Sequence, residues 1–237
     1  MQIDISDIAA DFPDFRVAVV IADGLEIGAD RPEALDALIA EREAAAREQW
    51  AGTELAEIPG IAAWRRAYRA FGIKKTSYRS SVERLVKNIQ AGRGLPRINP
   101  FVDAYNAVSL THVMPLGADD LDKVVGDLAF RYSRVGDEFL DMATAAGADA
   151  PQPDPPKPGE VVYADDEKIL CRRWNWRQDL RSLVTALTER AVVTVQTNGV
   201  GDLDAAVADL GDLIERFSSG TVRVTIADRR WPTLDID

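Results

Sequence analysis

Cysteine and histidine are almost absent from this sequence, with one residue of each in 237. A single cysteine, Cys171, excludes an internal disulfide and favours a reducing, cytoplasmic setting. We interpret Cys171 as a buried, unreactive thiol and the lone histidine, His112, as a cap at a helix end. No zinc cluster, P-loop or dinucleotide fingerprint is present, so no metal and no organic cofactor are expected.

Long apolar runs are also missing. No stretch of about 18 apolar residues exists, so no membrane span and no membrane partner are expected. The acidic start, Met1–Asp7, has no basic segment, which argues against a secretory signal. With 46% apolar and 28% charged residues, the composition is typical of a globular protein.

Positive charge is scarce overall but concentrated in one segment. The net charge of −11 argues against a protein that coats nucleic acid, and no DNA partner is expected. Residues 58–97 nevertheless hold ten basic side chains and only one acidic side chain, Glu83. Two interpretations stay open: solvated helix faces that pair with the acidic remainder, or a local phosphate-binding patch.

The hydrophobic pattern predicts helices and strands in no regular alternation. This favours an α+β fold, with mixed or antiparallel sheets flanked by helices, in a single domain over 1–237. Residues 145–158 are rich in proline and predict a surface loop. The predicted helices are 31–50, 61–71, a third that begins at Ser77 or Ser80, 99–110 and 203–217. The predicted strands lie within 15–21, 123–133, 137–142, 159–163, 168–174, 191–197 and 221–226.

The helix at 99–110 carries the most informative polar pattern. Asn99 suits an N-cap, Pro100 suits the first helical position, and Asn99, Asp103 and Asn106 share one helix face. These polar groups lie among apolar neighbours and therefore need partners. They either cap the helix and hold adjacent loops, or form the polar wall of a pocket that binds an amino or hydroxyl group.

Two further clusters are candidates for ligand contacts. The run from 172 to 177 combines three arginines with two tryptophans, which suits base stacking and phosphate binding. The alternative is a hairpin end with packed aromatics and surface arginines. Glu138, in Gly136-Asp137-Glu138, is either part of a turn or a pocket carboxylate that meets an α-amino group.

Three segments together suggest a family. Residues 99–108 have the form Asn-x-x-Val-Asp-x-x-Asn-x-Val, which resembles the signature helix of the editing domain of the phenylalanyl-tRNA synthetase beta subunit. Residues 114–123 resemble that family's Pro-x-His-Ala-x-Asp turn, and 159–166 resemble the hairpin before its Gly-rich loop. The resemblance covers about 60–200 and implies a free-standing editing domain.

The resemblance implies a trans-acting hydrolase that removes a wrongly attached amino acid from a tRNA. Its partners would be the aminoacylated 3′ end of the tRNA and a small amino-acid ligand. The implied amino-acid pocket consists of Asn99, Asp103, Asn106 and Glu138. The implied contacts to the tRNA end are Arg172, Arg173, Trp174, Asn175, Trp176 and Arg177. The implied phosphate contacts are Lys74, Lys75, Arg79 and Lys87.

The sequence also departs from the family pattern. Gly117 stands where the family has histidine, 194–196 contains no acid where the family has a pocket glutamate, and 174–177 replaces the Gly-rich loop. The catalytic residues are therefore unassigned. Two alternatives stay open: a non-catalytic module that binds tRNA or an amino acid, and an unrelated small-molecule enzyme on the same fold. We expect residues 1–57 to be integral, since the strand at 15–21 needs a sheet to join.

Overall fold

The computed structural model describes residues 1–74, 77–143 and 153–236. Lys75 and most of the predicted loop at 145–158 lie outside these residues. Within them, six α-helices are α1 (Ser6–Ala9), α2 (Glu33–Gln49), α3 (Pro59–Ala70), α4 (Ser81–Gln90), α5 (Pro100–His112) and α6 (Leu203–Ser218). The strands are β1 (Gln2–Asp4), β2 (Phe15–Asp23), β3 (Leu116–Asp120), β4 (Leu128–Tyr132), β5 (Val161–Ala164), β6 (Ile169–Arg172), β7 (Arg177–Gln178), β8 (Arg190–Asn198), β9 (Thr221–Ala227) and β10 (Thr233–Asp235).

The strands form two sheets. One has six strands in the order β10-β1-β4-β5-β6-β7, in which only the β1–β4 pair is parallel among the described strands. The other has four antiparallel strands in the order β3-β8-β2-β9. Helices cover the four-stranded sheet, so the predicted α+β class is confirmed.

Strand β2 shows how the layers are held together. Its alternate residues Ala18, Val20 and Ala22 pack in the core beneath α2, α5 and α6. The intervening residues, such as Val17 and Val19, pack in a second core against the six-stranded sheet. Burial on both faces explains the continuous apolar run of this strand. Since β2 pairs with both β8 and β9, the segment before residue 58 is built into the sheet.

Several predicted boundaries were confirmed, among them the N-cap of α5. The Asn99 side chain accepts a hydrogen bond from the Val102 N–H at 2.9 Å, and Pro100 occupies the first helical position. The predicted hairpin of β5 and β6 is present. These segments combine a local turn or cap signal with an apolar run, so local chemistry and tertiary burial agree.

Other predicted strands were wrong or missed. The prediction over 137–142 fails, because only isolated bridges occur at Leu140 and Asp141. In 123–133 the strand is confined to β4, and Leu121–Lys123 forms a 3-10 turn instead. Strand β3 was read as a turn, and β1, β7 and β10 were not predicted.

Candidate functional site

A cavity of about 240 Å³ opens between α4, α5 and the meeting point of the two sheets. A single water molecule needs a cavity of roughly 10–15 Å³, so this cavity has room for a small organic group. Its walls include Ser81, Arg84, Tyr105, Asn106, Leu116, Gly117, Ala118, Asp119, Tyr163, Cys171, Asn175, Trp176, Arg177, Gln178, Thr194 and Gln196.

Asp119 of β3 is a buried carboxyl group in the cavity wall. Its Oδ1 accepts hydrogen bonds from Gln178 Nε2 at 2.8 Å and from Ser182 Oγ at 2.6 Å. Burial raises the pKa of Asp119 to about 7, although these two hydrogen bonds oppose the rise. A carboxyl group that titrates near neutral pH inside a cavity is suited to proton transfer.

A chain of buried polar side chains leads from Tyr68, which lines a neighbouring cleft, to three residues of the cavity lining. Tyr68 Oη donates to Asn175 Oδ1 at 2.9 Å, and Asn175 Nδ2 donates to Gln196 Oε1 at 3.0 Å. Gln196 Nε2 then donates to Thr194 Oγ1 at 3.1 Å. Because each amide is engaged at both ends, the chain fixes the orientation of Asn175 and Gln196.

The positions at which the sequence departs from the resembled family meet in this cavity. Gly117 of β3 lies directly opposite Thr194 of β8 in the antiparallel register. The segment 175–178 forms the neighbouring wall. The positions aligned with the missing histidine, the missing glutamate and the Gly-rich loop are therefore neighbours around one space.

Several polar groups around the cavity have no hydrogen-bond partner within the described residues. The Asn106 side chain makes no hydrogen bond there. The same holds for four buried atoms, Ser81 Oγ, Tyr163 Oη, Trp176 Nε1 and Arg177 Nε. Because unpaired buried polar groups are costly, these atoms are the ones available to a ligand.

The three polar residues predicted on α5 divide between two roles. Asn106 lines the cavity. Asn99 caps the helix, and the Asp103 carboxylate accepts from the Ile98 N–H at 2.9 Å and from Arg31 Nε at 2.8 Å. Asn99 and Asp103 therefore stabilise the helix start and lie outside the cavity lining. For these two residues this agrees with the first of the two interpretations given above, in which the polar groups cap the helix and hold adjacent loops.

Glu138 lies away from the cavity. Its side chain is 72% exposed and pairs with Arg181 at 3.4 Å. It borders a separate shallow cleft with Lys123 and Lys168. An α-amino group in the cavity would not meet this carboxylate, and Asp119 is the acid that lines the cavity instead.

The run from 172 to 177 also divides between the core and the cavity. Arg172 is 1% exposed, and Glu160 binds it through two hydrogen bonds of 2.8 and 2.9 Å. Trp174 is fully buried among Phe12, Phe15 and Trp64, so no surface of it is left to stack on a base.

A tight turn produces this division. Arg173 and Trp174 both adopt positive φ angles, of 47° and 66°, which non-glycine residues rarely do. The turn sends Trp174 inward and leaves Asn175, Trp176 and Arg177 on the cavity wall. Arg177 is anchored there by Asp141 at 2.6 Å.

The predicted phosphate contacts that the structure describes, Lys74, Arg79 and Lys87, lie on surface clefts beside the cavity. Lys74 and Lys87 are exposed and line two different clefts. Arg79 lines both clefts but also pairs with the buried Glu83. Arg84, which was not singled out from the sequence, lines both a cleft and the cavity.

Within the described ranges of the chain, His112 and Cys171 take no part in a reactive pair. His112 Nε2 lies 3.0 Å from Asp209 Oδ2, at the interface of α5 and α6. Burial raises the pKa of the Cys171 thiol, which disfavours the thiolate.

Among the residues that the structure describes, no group of three or more His, Cys, Asp or Glu is placed to hold a metal ion. No helix in this part of the chain has the length and apolarity needed to cross a membrane.

Comparison with known proteins gives one family match and two similar proteins. The family model of the B3/4 domain matches residues 63–200. A phenylalanine–tRNA ligase beta subunit from Fusobacterium nucleatum subsp. nucleatum is 35% identical over 99 residues, which is 42% of this chain and 11% of that protein. A solved N-terminal fragment of the phenylalanyl-tRNA synthetase beta subunit from Pyrococcus horikoshii matches with a TM-score of 0.47 and 12% identity, over 93% of this chain and 50% of that fragment.

Proposed function

The chain belongs to the B3/4 domain family, whose model matches more than half of its length, and we propose that it hydrolyses the ester of a wrongly charged aminoacyl-tRNA. The observation that carries this proposal is Asp119, a buried carboxyl group with a pKa of about 7 in the wall of a cavity. The cavity takes the aminoacyl group of the tRNA 3′ end.

Asp119 acts as the general base. Its carboxylate takes one proton from a water molecule while the water oxygen attacks the ester carbonyl carbon. The bond from that carbon to the ribose oxygen then breaks, and the ribose oxygen receives the proton that Asp119 took from the water, which restores the carboxylate. Gln178 and Ser182 hold the Asp119 carboxylate in one orientation during this transfer.

The oxyanion that forms at the carbonyl requires fixed donors. The Asn106 amide and the Trp176 indole N–H line the cavity and have no partner among the described residues. They are our candidates for this role, because preorganised donors stabilise charge that develops in the transition state. This assignment replaces the missing histidine and glutamate with Asp119, which the sequence resemblance does not identify, and with Asn106 and Trp176, for which the resemblance implies contacts to the amino acid and to the tRNA end.

Basic clefts beside the cavity suit the rest of the tRNA. Arg84 stands at the boundary between the cavity and a cleft that also contains Arg79, Lys87 and Arg93. An RNA strand that lies along this cleft delivers its 3′ end to the cavity. The partner is therefore an aminoacylated tRNA, and a cytoplasmic location remains part of this prediction.

The proposal is tested by deacylation of a panel of radiolabelled aminoacyl-tRNAs, both correctly and wrongly charged. We expect selective hydrolysis of one or a few wrongly charged members. Asp119→Asn should lower the rate by about 10²–10⁴-fold, the usual contribution of a general base. Asn106→Ala should lower it by about 10²–10³-fold if the amide serves the oxyanion.

Asp120→Asn is the matched control. Asp120 follows Asp119 in β3, is also buried, and binds Thr188 Oγ1 and Lys123 Nζ, each at 2.8 Å. It lies outside the cavity lining, since neighbouring residues of a strand face opposite sides. Loss of the Asp120 carboxylate should leave the deacylation rate within a few-fold of wild type. No hydrolysis of any panel member would contradict the proposed reaction.

A binding module without turnover is the second candidate. Gly117 and Thr194 face each other where the resembled family has a histidine and, nearby, a glutamate, so these two positions offer neither of the family's groups. This candidate predicts tRNA or amino-acid affinity that Asn106→Ala weakens, with no hydrolysis by wild type. The deacylation panel combined with a binding measurement separates the two candidates.

A further inference from the structure

Arg173 lies outside the proposed reaction and has unusual surroundings. Arg173 is only 4% exposed, and its Nε and Nη1 atoms have no hydrogen-bond partner among the described residues. The guanidinium carbon lies 3.8 Å from the centre of the Tyr78 ring and 4.2 Å from that of the Trp176 ring, and the two rings are themselves packed edge to face. These contacts hold the cation in place but provide no hydrogen-bond acceptor for Nε and Nη1.

The nearest carboxylate does not compensate this charge fully. Glu160 lies 3.8 Å from Arg173 Nε, beyond hydrogen-bond distance. Its two oxygens already accept the hydrogen bonds of Arg172. Arg172 also pairs with the exposed Asp154 at 2.5 Å, so Glu160 is the one buried carboxylate beside these two arginines among the described residues. A buried cation with incomplete pairing is costly unless another anion completes the site.

A cleft of about 370 Å³ adjoins this cluster and adds two more cations. Its lining includes Arg173, Tyr78, Lys74, Lys157 and Glu160. Lys74 and Lys157 are exposed, and their ammonium groups form no ion pair within the described residues. Three cations therefore surround one space that contains a single, already engaged carboxylate.

We propose that this cleft binds a phosphate group of an RNA strand. Several cations that converge on one space suit a phosphate, which accepts charge-assisted hydrogen bonds from several directions. The cleft shares Lys74 and Tyr78 with a second cleft, and the second shares Arg79 with the cleft beside the cavity. This continuity favours a polymer with repeated phosphates over an isolated phosphorylated metabolite.

The assignment to RNA rests on the proposed function, whereas the phosphate site itself does not. Arg173 stacks on Trp176, and Trp176 lines the cavity. A phosphate that pairs with Arg173 would fix the guanidinium and, through it, one wall of the aminoacyl cavity. The cleft would then be a second anchor for the tRNA whose 3′ end enters the cavity.

The test uses the full chain and an acceptor-stem RNA hairpin that ends in CCA. Lys157→Glu and Lys74→Glu place a negative charge at the cleft without disturbing the core, since both side chains are exposed. We expect each variant to weaken binding of the hairpin at least tenfold and to reduce the salt slope by about one. Arg229→Glu is the control, because Arg229 is exposed and lines none of these clefts.

A second arm replaces chloride by inorganic phosphate at constant ionic strength. Phosphate should compete with the hairpin more strongly than chloride does, and the two Glu variants should lose this difference. If the hairpin binds wild type and both variants equally, the phosphate site is overturned while the deacylase proposal stands. If wild type binds inorganic phosphate but no RNA, the RNA assignment fails, and the ligand is a small phosphorylated molecule.

Discussion

At the residue scale, burial of Asp119 has an energetic cost as well as a chemical use. The unfolded chain ionises this group at its ordinary value near 4, whereas the folded chain holds its proton up to about pH 7. Between these two values the unfolded state binds fewer protons than the folded state. The contribution of Asp119 to stability therefore falls as the pH rises from about 4 to 7 and stays low above that.

Asp119→Asn should remove this dependence. The amide oxygen of asparagine can still accept the hydrogen bonds of Gln178 and Ser182. We expect the variant to match wild type near pH 4 and to be more stable at pH 8, by about 4 kcal/mol at most. Urea unfolding at both pH values measures the difference. Equal stability of wild type and variant at pH 8 would contradict a raised pKa of Asp119 in the folded state.

Trp174 and Trp176 show why the sequence alone could not separate core from cavity. They lie two residues apart in one aromatic and basic run, and both were assigned to the tRNA end. The positive φ angles at Arg173 and Trp174 decide which side each ring takes. Without a glycine or asparagine to signal them, such angles leave no trace in the residue pattern.

At the element scale, the sequence prediction missed strand β3, and this error had the largest consequence for the site. Gly117, Asp119 and Asp120 are poor strand formers, and they favour the turn that the sequence predicted. Pairing with the buried strand β8 outweighs that local preference. The same omission hid Asp119, whereas β2, β8 and α5 were found because their apolar patterns and caps agree with their burial.

The packing of α2, α5 and α6 depends on one carboxylate. Asp209 of α6 accepts two hydrogen bonds from Arg42 of α2, at 2.6 and 2.8 Å, and lies 3.0 Å from His112 of α5. Burial alone would raise the pKa of Asp209, but the hydrogen bonds from His112 and Arg42 outweigh it and hold the pKa at about 2. The stabilising effect of the ionised Asp209 is present above pH 4 and is lost as the pH falls toward 2.

Asp209→Asn should therefore destabilise the protein at neutral pH by roughly 1–2 kcal/mol, with solvent screening included. The difference from wild type should shrink as the pH falls from 4 to 2. Urea unfolding across this range measures it. Asp212→Asn is the control on the same helix, since Asp212 forms only an exposed pair with Arg216 and should change stability little. A pH-independent difference for Asp209→Asn would contradict the role of its ionisation.

At the scale of the whole molecule, the fold turns an uneven charge sequence into a spatial pattern. The basic segment 58–97 supplies α3 and α4, and their arginines and lysines line successive clefts that reach the cavity. The acidic remainder gives the net charge of −11. Under the proposed function, we expect repulsion by this remainder to limit nonspecific binding to nucleic acid, while the local field of the clefts attracts the phosphate backbone of the tRNA.

The salt dependence of tRNA binding tests this pattern. Four to six phosphate contacts along the clefts predict a slope of log affinity against log salt of about −3 to −5. Lys87→Ala removes one exposed contact and should reduce the magnitude of that slope by about one, whereas Arg229→Ala should leave it unchanged. Fluorescence anisotropy with labelled tRNA, measured at salt concentrations from about 50 to about 300 mM, gives the slope. A slope near zero would mean that the clefts do not contact phosphates, because released counterions accompany every such contact.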